Sequence, residues 1–256
     1  MKTVAVIQAR MGSSRLPGKV LKPILGRPML GHIVERVRSV PTIDEVVVAV
    51  PDDAPNEVLR QFCRQDGIKV FAGSENDVLD RFYKTALFHQ ANPVLRITAD
   101  CPLADPELIE QLIRDFRSGG YDYFAVAAGA DAGRLQSGRF PDGLDAECVT
   151  FKALEQAWRE ADDPRDREHV TRFIWRQKER FRCGQLYSKV DYGALRLTVD
   201  HPGDFALVEK IYDELYDENR TFLLADVVEL LERKSELGKL NSHFNQGDHY
   251  KAVLED

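Results

Sequence analysis

Residues 4–27 read VAVIQARMGSSRLPGKVLKPILGR, and the fold turns on how this stretch divides. Val4, Ala5, Val6 and Ile7 make an apolar run with the β-branched content of a buried strand. After it, Arg10, Arg15, Lys19, Lys22 and Arg27 are interleaved with Gly12, Ser13, Ser14 and Gly18, and no acid occurs before Glu35. The whole chain carries a net charge of −7, so these cations are locally concentrated. Cations set among backbone and hydroxyl donors suit a polyphosphate. A lone basic loop would be an ordinary exposed turn. Five cations with adjacent serines, placed after the first strand of an α/β pattern, point to phosphate instead. The loop is not a Walker A sequence, because five residues separate Gly12 from Gly18, Pro17 lies inside, and Val20 stands where a hydroxyl would hold magnesium. A Gly-x-Gly-x-x-Gly pattern is also missing, which argues against a dinucleotide.

Outward from this stretch, Met29, Leu30, Ile33, Val34 and Val37 recur at helical spacing. A second strand at 45–50 ends in Pro51-Asp52-Asp53, and a helix follows with Val58, Leu59 and Phe62 inward. A third short strand at 69–71 leads to a helix over 78–89 that Ser74 and Asn76 can cap. A fourth strand at 93–99 runs into Asp100-Cys101-Pro102-Leu103 and a helix over 105–117. Strands this apolar, alternating with helices, predict a mostly parallel sheet covered on both faces. Ligands of such sheets sit beyond the carboxyl ends of the strands, where the basic loop and Asp100 both fall.

Beyond Gly119 the alternation weakens. Strands are predicted at 121–127, 145–150, 185–190 and 195–199, with a loop at 129–143. Helices are predicted at 151–161, 168–180, 202–216 and 222–233, before a polar tail. The reading is one domain over 1–256, with a nucleotide-binding half at 1–128, an acceptor and dimerisation region at 129–200, and closing helices and tail at 201–256. The acidic balance argues against nucleic acid and membrane surfaces as partners. No run is long enough for a membrane span and the first residues lack a signal-peptide pattern, so a cytoplasmic protein is expected. Cys63, Cys101, Cys148 and Cys183 form no Cys-x-x-Cys pair and are expected as reduced thiols.

Asp100 and Asp200 each close an apolar run, and either could simply cap the helix that follows. Together, opposite a polyphosphate loop, they have the character of the hard oxygen ligands that Mg²⁺ takes.

The segments QARMGSSRLPGK, RITADCPL, FPDGLDAE, REHVT and LRLTVDHPGDF resemble those of the SpsF-like cytidylyltransferase family of spore coat polysaccharide biosynthesis, relatives of the 3-deoxy-manno-octulosonate and acylneuraminate cytidylyltransferases. The resemblance implies a nucleotide-diphospho-sugar transferase-like α/β sandwich. It also implies attack of a sugar acid or sugar phosphate on the α-phosphorus of a nucleoside triphosphate, most simply CTP, with release of pyrophosphate. On this basis Gln8, Ala9, Arg10, Gly12, Ser13, Ser14, Arg15 and Lys19 would hold the nucleotide. Lys19, Arg15 and Asp100 would be catalytic, and Asp100 and Asp200 would hold Mg²⁺. Arg81 would be a further nucleotide contact, or else a surface helix residue, since the Ser-Gly-Thr of the octulosonate enzymes is replaced by Asp77-Val78-Leu79. Asp142, Asp145 and Glu147 would meet the acceptor or be solvated loop acids. Glu168 and His169, in a helix that puts Glu168 and Thr171 on adjacent faces, would join them or be structural, and His201 would orient its neighbour Asp200. The resemblance further implies a homodimer, for which 149–190 is the candidate interface.

Two other readings fit the composition. A glycosyltransferase using a nucleotide-sugar would commonly carry an Asp-x-Asp metal motif, for which Asp142-Gly143-Leu144-Asp145 is a loose match. A nucleotide-binding subunit without turnover would have less reason to keep Arg15, Lys19, Asp100 and Asp200 together.

Overall fold

A computed structural model of the chain describes residues 1–128 and 138–243. The elements are β1 (Val4–Gln8), a hairpin of β2 (Pro23–Ile24) and β3 (Arg27–Pro28), α1 (Met29–Arg38), β4 (Glu45–Pro51), α2 (Glu57–Gln65), β5 (Lys69–Gly73), α3 (Val78–Phe88), β6 (Val94–Thr98) and α4 (Pro106–Gly119). The second half adds β7 (Tyr123–Val126), β8 (Glu147–Val149), α5 (Phe151–Glu160), α6 (Pro164–Glu168), α7 (Arg172–Trp175), β9 (Cys183–Leu186), α8 (Pro202–Leu215) and α9 (Leu224–Arg233). Seven strands form one sheet in the order β5-β4-β1-β6-β8-β7-β9. Within it β8 is antiparallel to both its neighbours, and every other pairing is parallel. The expected α/β sandwich with a mostly parallel sheet is therefore the observed one.

The two-residue period of a strand explains the layers. Val4 and Val6 face a core with Phe82 of α3 and Leu154 of α5, whereas Ala5 and Ile7 face Leu30 of α1, Leu59 of α2, Ile113 of α4 and Val208 of α8. From β1 the chain steps outward to β4 and β5, then returns to place β6 on the other side of β1. The direction of winding thus reverses between β1 and β6, the position where open α/β sheets leave a crevice at their carboxyl ends.

Several expected elements differ. The helix expected over 168–180 is broken, with α6 ending at Glu168, α7 beginning at Arg172, and Val170 between them at φ 56°. Tertiary contacts override the helical pattern, because the break lets the Thr171 hydroxyl donate to Glu147 at 2.8 Å and Arg172 bond the buried Asp166 at 2.6 Å. Glu168 and Thr171 consequently do not share a helix. The apolar run at 195–199 does not join the sheet, since its backbone bonds go to the sheet's edge: Leu197 N–H to the Asp142 carbonyl at 2.7 Å and Val199 N–H to the Asp100 carbonyl at 2.8 Å. The strand expected at 185–190 lies earlier, as β9. Helix α3 is capped by Asp77, which accepts from Asp80 N–H at 2.9 Å, while Ser74 Oγ accepts from Asp77 N–H. The loop expected at 129–143 falls in part on residues 129–137, outside the described residues. The four cysteines are free thiols, and no helix among the described residues is long and apolar enough to cross a membrane.

Gly143 fixes the approach of the 195–200 segment to the sheet. Its φ of +102° disfavours any side chain, and a Cβ there would lie 2.3 Å from Thr198 N and 2.4 Å from Leu197 C. The three nearest atoms are all backbone of Leu197 and Thr198, so no flexible side chain can yield. Gly143→Ala is expected to cost about 2–4 kcal/mol in urea unfolding, and a loss within experimental error would show that the segment is not held there.

Candidate active site

Gly18, at φ 69° and ψ 14°, turns the basic loop into a short 3₁₀ helix over Lys19–Leu21. The turn buries Lys19 and aims its ammonium between two carboxylates that arrive by different routes. Asp100 follows the end of β6, and Asp200 ends the segment laid across the sheet edge. Lys19 Nζ donates to Asp100 Oδ2 at 3.2 Å, Asp200 Oδ1 at 2.9 Å and the Val199 carbonyl at 2.7 Å. Arg15 adds a second cation on Asp200 Oδ1 at 3.0 Å. Burial works against the charge of all three groups, yet mutual attraction prevails. Lys19 is held above its ordinary value by Asp100 and Asp200, Asp100 is lowered by Lys19, and Asp200 is lowered to about 2 by Lys19 and Arg15. Both carboxylates are therefore ionised at neutral pH. Asp100 and Asp200 offer carboxylate oxygens, the hard donors that Mg²⁺ takes, and among the described residues no third His, Cys, Asp or Glu joins them in a metal-holding group.

The far edge of Asp200 belongs to Arg196. This buried guanidinium donates to Asp200 Oδ2 at 3.0 Å, Asp142 Oδ2 at 2.8 Å and both oxygens of Asp204 at 3.0 and 3.1 Å. Asn241 then donates to Asp204 Oδ1 at 3.0 Å and to the Arg196 carbonyl at 2.9 Å. Asp142 is thus paired with Arg196 and is 4% exposed. Asp145 accepts from Gly143 N–H at 2.9 Å, and burial pushes its carboxyl up to about 6.

Glu147 sits in a separate polar group. It accepts from Arg96 at 2.5 Å, the Tyr123 hydroxyl at 2.6 Å and the Thr171 hydroxyl at 2.8 Å, and Arg96 also reaches Gln8 Oε1 at 3.4 Å. His169 lies at the end of α6, its protonation disfavoured by burial, and Glu168 beside it is exposed.

The remaining nucleotide candidates spread along the loop. Ala9 is buried and donates its N–H to the Ala49 carbonyl, and Ser13 Oγ accepts from Leu16 N–H at 3.3 Å. Gly12 and Ser14 are exposed, and a Cβ on Gly12 would meet open space. Arg10 acts electrostatically on Arg81 and Glu75. Lys22 lies over the Phe205 ring and Arg27 pairs with Glu35, so each of these two cations has a protein partner of its own. Arg81 is not a surface residue, being 1% exposed, with one nitrogen donating to the Ser74 carbonyl. Burial, with the charge of Arg10, lowers its pKa to about 10.

Arg96, Arg196, Asp204, Thr171 and Asn241 were not among the sequence candidates. Two of them carried a signal, since a charge inside an apolar run, as in PVLRITA and LRLTV, requires a buried partner.

The profile of a family described as cytidylyltransferase matches residues 4–243. The chain belongs to the cytidylyltransferase family. This cytidylyltransferase is 32% identical over 235 residues to the spore coat polysaccharide biosynthesis protein SpsF of Bacillus subtilis, covering 89% of the chain and 93% of SpsF. It is also 32% identical to an uncharacterised protein of Methanocaldococcus jannaschii over the full length of both. Among solved structures, a cytidylyltransferase from Leptospira borgpetersenii superposes with a TM-score of 0.84 at 24% identity, covering 96% of this chain and all of that one. A CMP:2-keto-3-deoxy-manno-octonic acid synthetase complexed with CTP gives 0.63 at 21% identity, covering 84% and 99%. The fold is shared with both, and the family establishes a nucleotidyltransferase.

The raised pKa of Asp145 has a pH signature. An aspartate titrates near pH 4 when unfolded, so the folded state retains its proton longer. Stability linked to this group is complete below about pH 4 and is lost as pH rises to about 6. Asp145→Asn keeps an acceptor for Gly143 and removes the titration. Its unfolding free energy in urea is expected to exceed that of the native chain at pH 8, by on the order of 1 kcal/mol, and to match it near pH 4. A constant difference across that range would rule the account out.

Proposed function

We propose that this cytidylyltransferase transfers CMP from CTP to a sugar acid or sugar phosphate in surface-polysaccharide biosynthesis, releasing pyrophosphate and using Mg²⁺ held by Asp100 and Asp200. The observation that carries the reading is the Lys19 ammonium within hydrogen-bond reach of both carboxylates, at the crevice between β1 and β6. An acceptor oxygen attacks the α-phosphorus, the bond to the bridging oxygen of the β-phosphate breaks, and pyrophosphate leaves with that electron pair. Lys19 and Arg15 offset charge that grows on the phosphate oxygens. Asp100 and Asp200 stay ionised and oriented because Lys19 and Arg196 hold them. Asp100 and Asp200 would hold Mg²⁺, which would supply neutralisation at the phosphates and lower the proton affinity of an acceptor hydroxyl.

The acceptor meets the other side of the crevice, toward Gln8, Arg96, Glu147, Thr171 and His169. The names of relatives support a sugar-type acceptor, since SpsF is a spore coat polysaccharide biosynthesis protein and a half-length match, 33% identical, is a 3-deoxy-manno-octulosonate cytidylyltransferase of Geobacter metallireducens. A glycosyltransferase reading loses support because burial shifts both acids of its loose metal motif, Asp142 and Asp145, toward the neutral form. A homodimer through 149–190 belongs to the same proposal, supported by the exposed Tyr187 and Val190, and light scattering measures it directly.

Incubation with Mg²⁺, each of the four common nucleoside triphosphates and a panel of sugar acids and sugar phosphates is expected to release pyrophosphate, fastest with CTP. Lys19→Met and Asp100→Asn are each expected to lower kcat by about a hundredfold or more, with a smaller effect on melting temperature. Absence of release across the panel would sink the reaction, and near-native turnover in Asp100→Asn would remove its proposed role.

A further inference from the structure

The two edges of the Asp200 carboxylate have different partners, and the difference matters once a nucleotide arrives. Oδ1 faces Lys19 and Arg15, both of which a triphosphate would draw toward itself, whereas Oδ2 faces Arg196, which is buried away from the loop. We propose that Arg196 is a positioning residue, holding Asp200 with its Oδ1 edge presented to the crevice when Lys19 and Arg15 engage phosphate. The proposal rests on the function given above only for what Asp200 then contacts.

Three observations carry it. First, Asp200 lies on a segment outside the sheet, so no strand ladder fixes its direction. Its backbone N–H is instead accepted by Asp204 Oδ2 at 3.0 Å, and Asp204 is itself gripped by Arg196 Nε and Nη2. Arg196 therefore controls Asp200 twice, through the side chain directly and through the backbone by way of Asp204. Second, each guanidinium nitrogen has a carboxylate partner: Nε on Asp204, Nη1 on Asp142, and Nη2 on Asp200 and Asp204. A planar fork suits this arrangement, and a lysine, with one nitrogen, cannot reproduce it. Third, three carboxylates gathered on one buried cation are a poor means of stabilising a fold, since apolar side chains of similar volume do at least as well. Their arrangement is better accounted for by the orientation they impose on Asp200.

Arg196→Lys keeps the charge and loses the fork. A structural role alone would lower the melting temperature and leave the folded fraction native in its binding. A positioning role predicts that, well below the melting temperature, Mn²⁺ binding in the presence of CTP weakens about tenfold or more, and that kcat falls by more than KM for CTP changes. Asn241→Ala, which removes a donor from Asp204 and one from the Arg196 carbonyl, should give a smaller shift in the same direction, and it serves as the test if Arg196→Lys does not fold. If the native chain releases no pyrophosphate from any nucleotide, the reaction reading fails. A crystal structure of the variant with inorganic triphosphate bound then decides the inference alone. Rotation of the Asp200 carboxylate away from the crevice supports it. An Asp200 carboxylate placed as in the native chain, or unchanged Mn²⁺ affinity in a folded variant, overturns it.

Discussion

A buried ammonium must be kept charged, and in this protein Lys19 meets that requirement only by drawing in carboxylates from 81 and 181 residues away. Each group would be costly to bury alone. Held together they lower one another's cost, and in doing so they tie the first loop, the end of β6 and the segment before α8 into one edge. The hydrogen bond from Val199 N–H to the Asp100 carbonyl aligns the last two of these, so the charges meet without depending on flexible side-chain reach. Outward from this triad the burden passes to Arg196, then to Asp204, and finally to Asn241.

Acids at this edge divide into two kinds. Asp100 and Asp200 lie against cations and are shifted toward the charged form. Asp145 and Asp142, also withdrawn from water, are shifted toward the neutral form, and for Asp142 burial and the charge of Asp145 oppose its contact with Arg196. The same residue type in one small region thus spans several pH units. Its chemistry follows from what faces each carboxyl, not from its place in the sequence.

Much of the first half was legible because a parallel sheet buried on both faces writes itself as apolar runs with helices between. Val4 to Ile7 and Val46 to Val50 could hardly be anything else, and the positions of the basic loop and Asp100 followed from them. The run at 195–199 shows where such reading fails. Its apolar alternation, like that of a strand, reports burial on one side, but it cannot report whether the backbone pairs with a sheet or only with Asp142 and Asp100. Helical spacing across 168–180 failed for a related reason: the hydroxyl of Thr171 and the guanidinium of Arg172 find partners that a continuous helix would have denied them. Arg81 carried no local sign of burial, because what covers it comes from the turn after β5.

Asn241 gives the network a dimension in time. Synthesis runs from the N-terminus, and domains tend to fold as units in that order. Lys19 and Asp100 can meet as soon as β6 settles beside β1, but the second carboxylate is not made until another hundred residues have followed, and Asn241 comes 45 residues after Arg196. Between the making of Asp100 and that of Asp200 the chain holds the basic loop with only one of its two carboxylate partners. Until Asp200 joins Lys19 and Arg15, the loop is more cationic than in the finished fold.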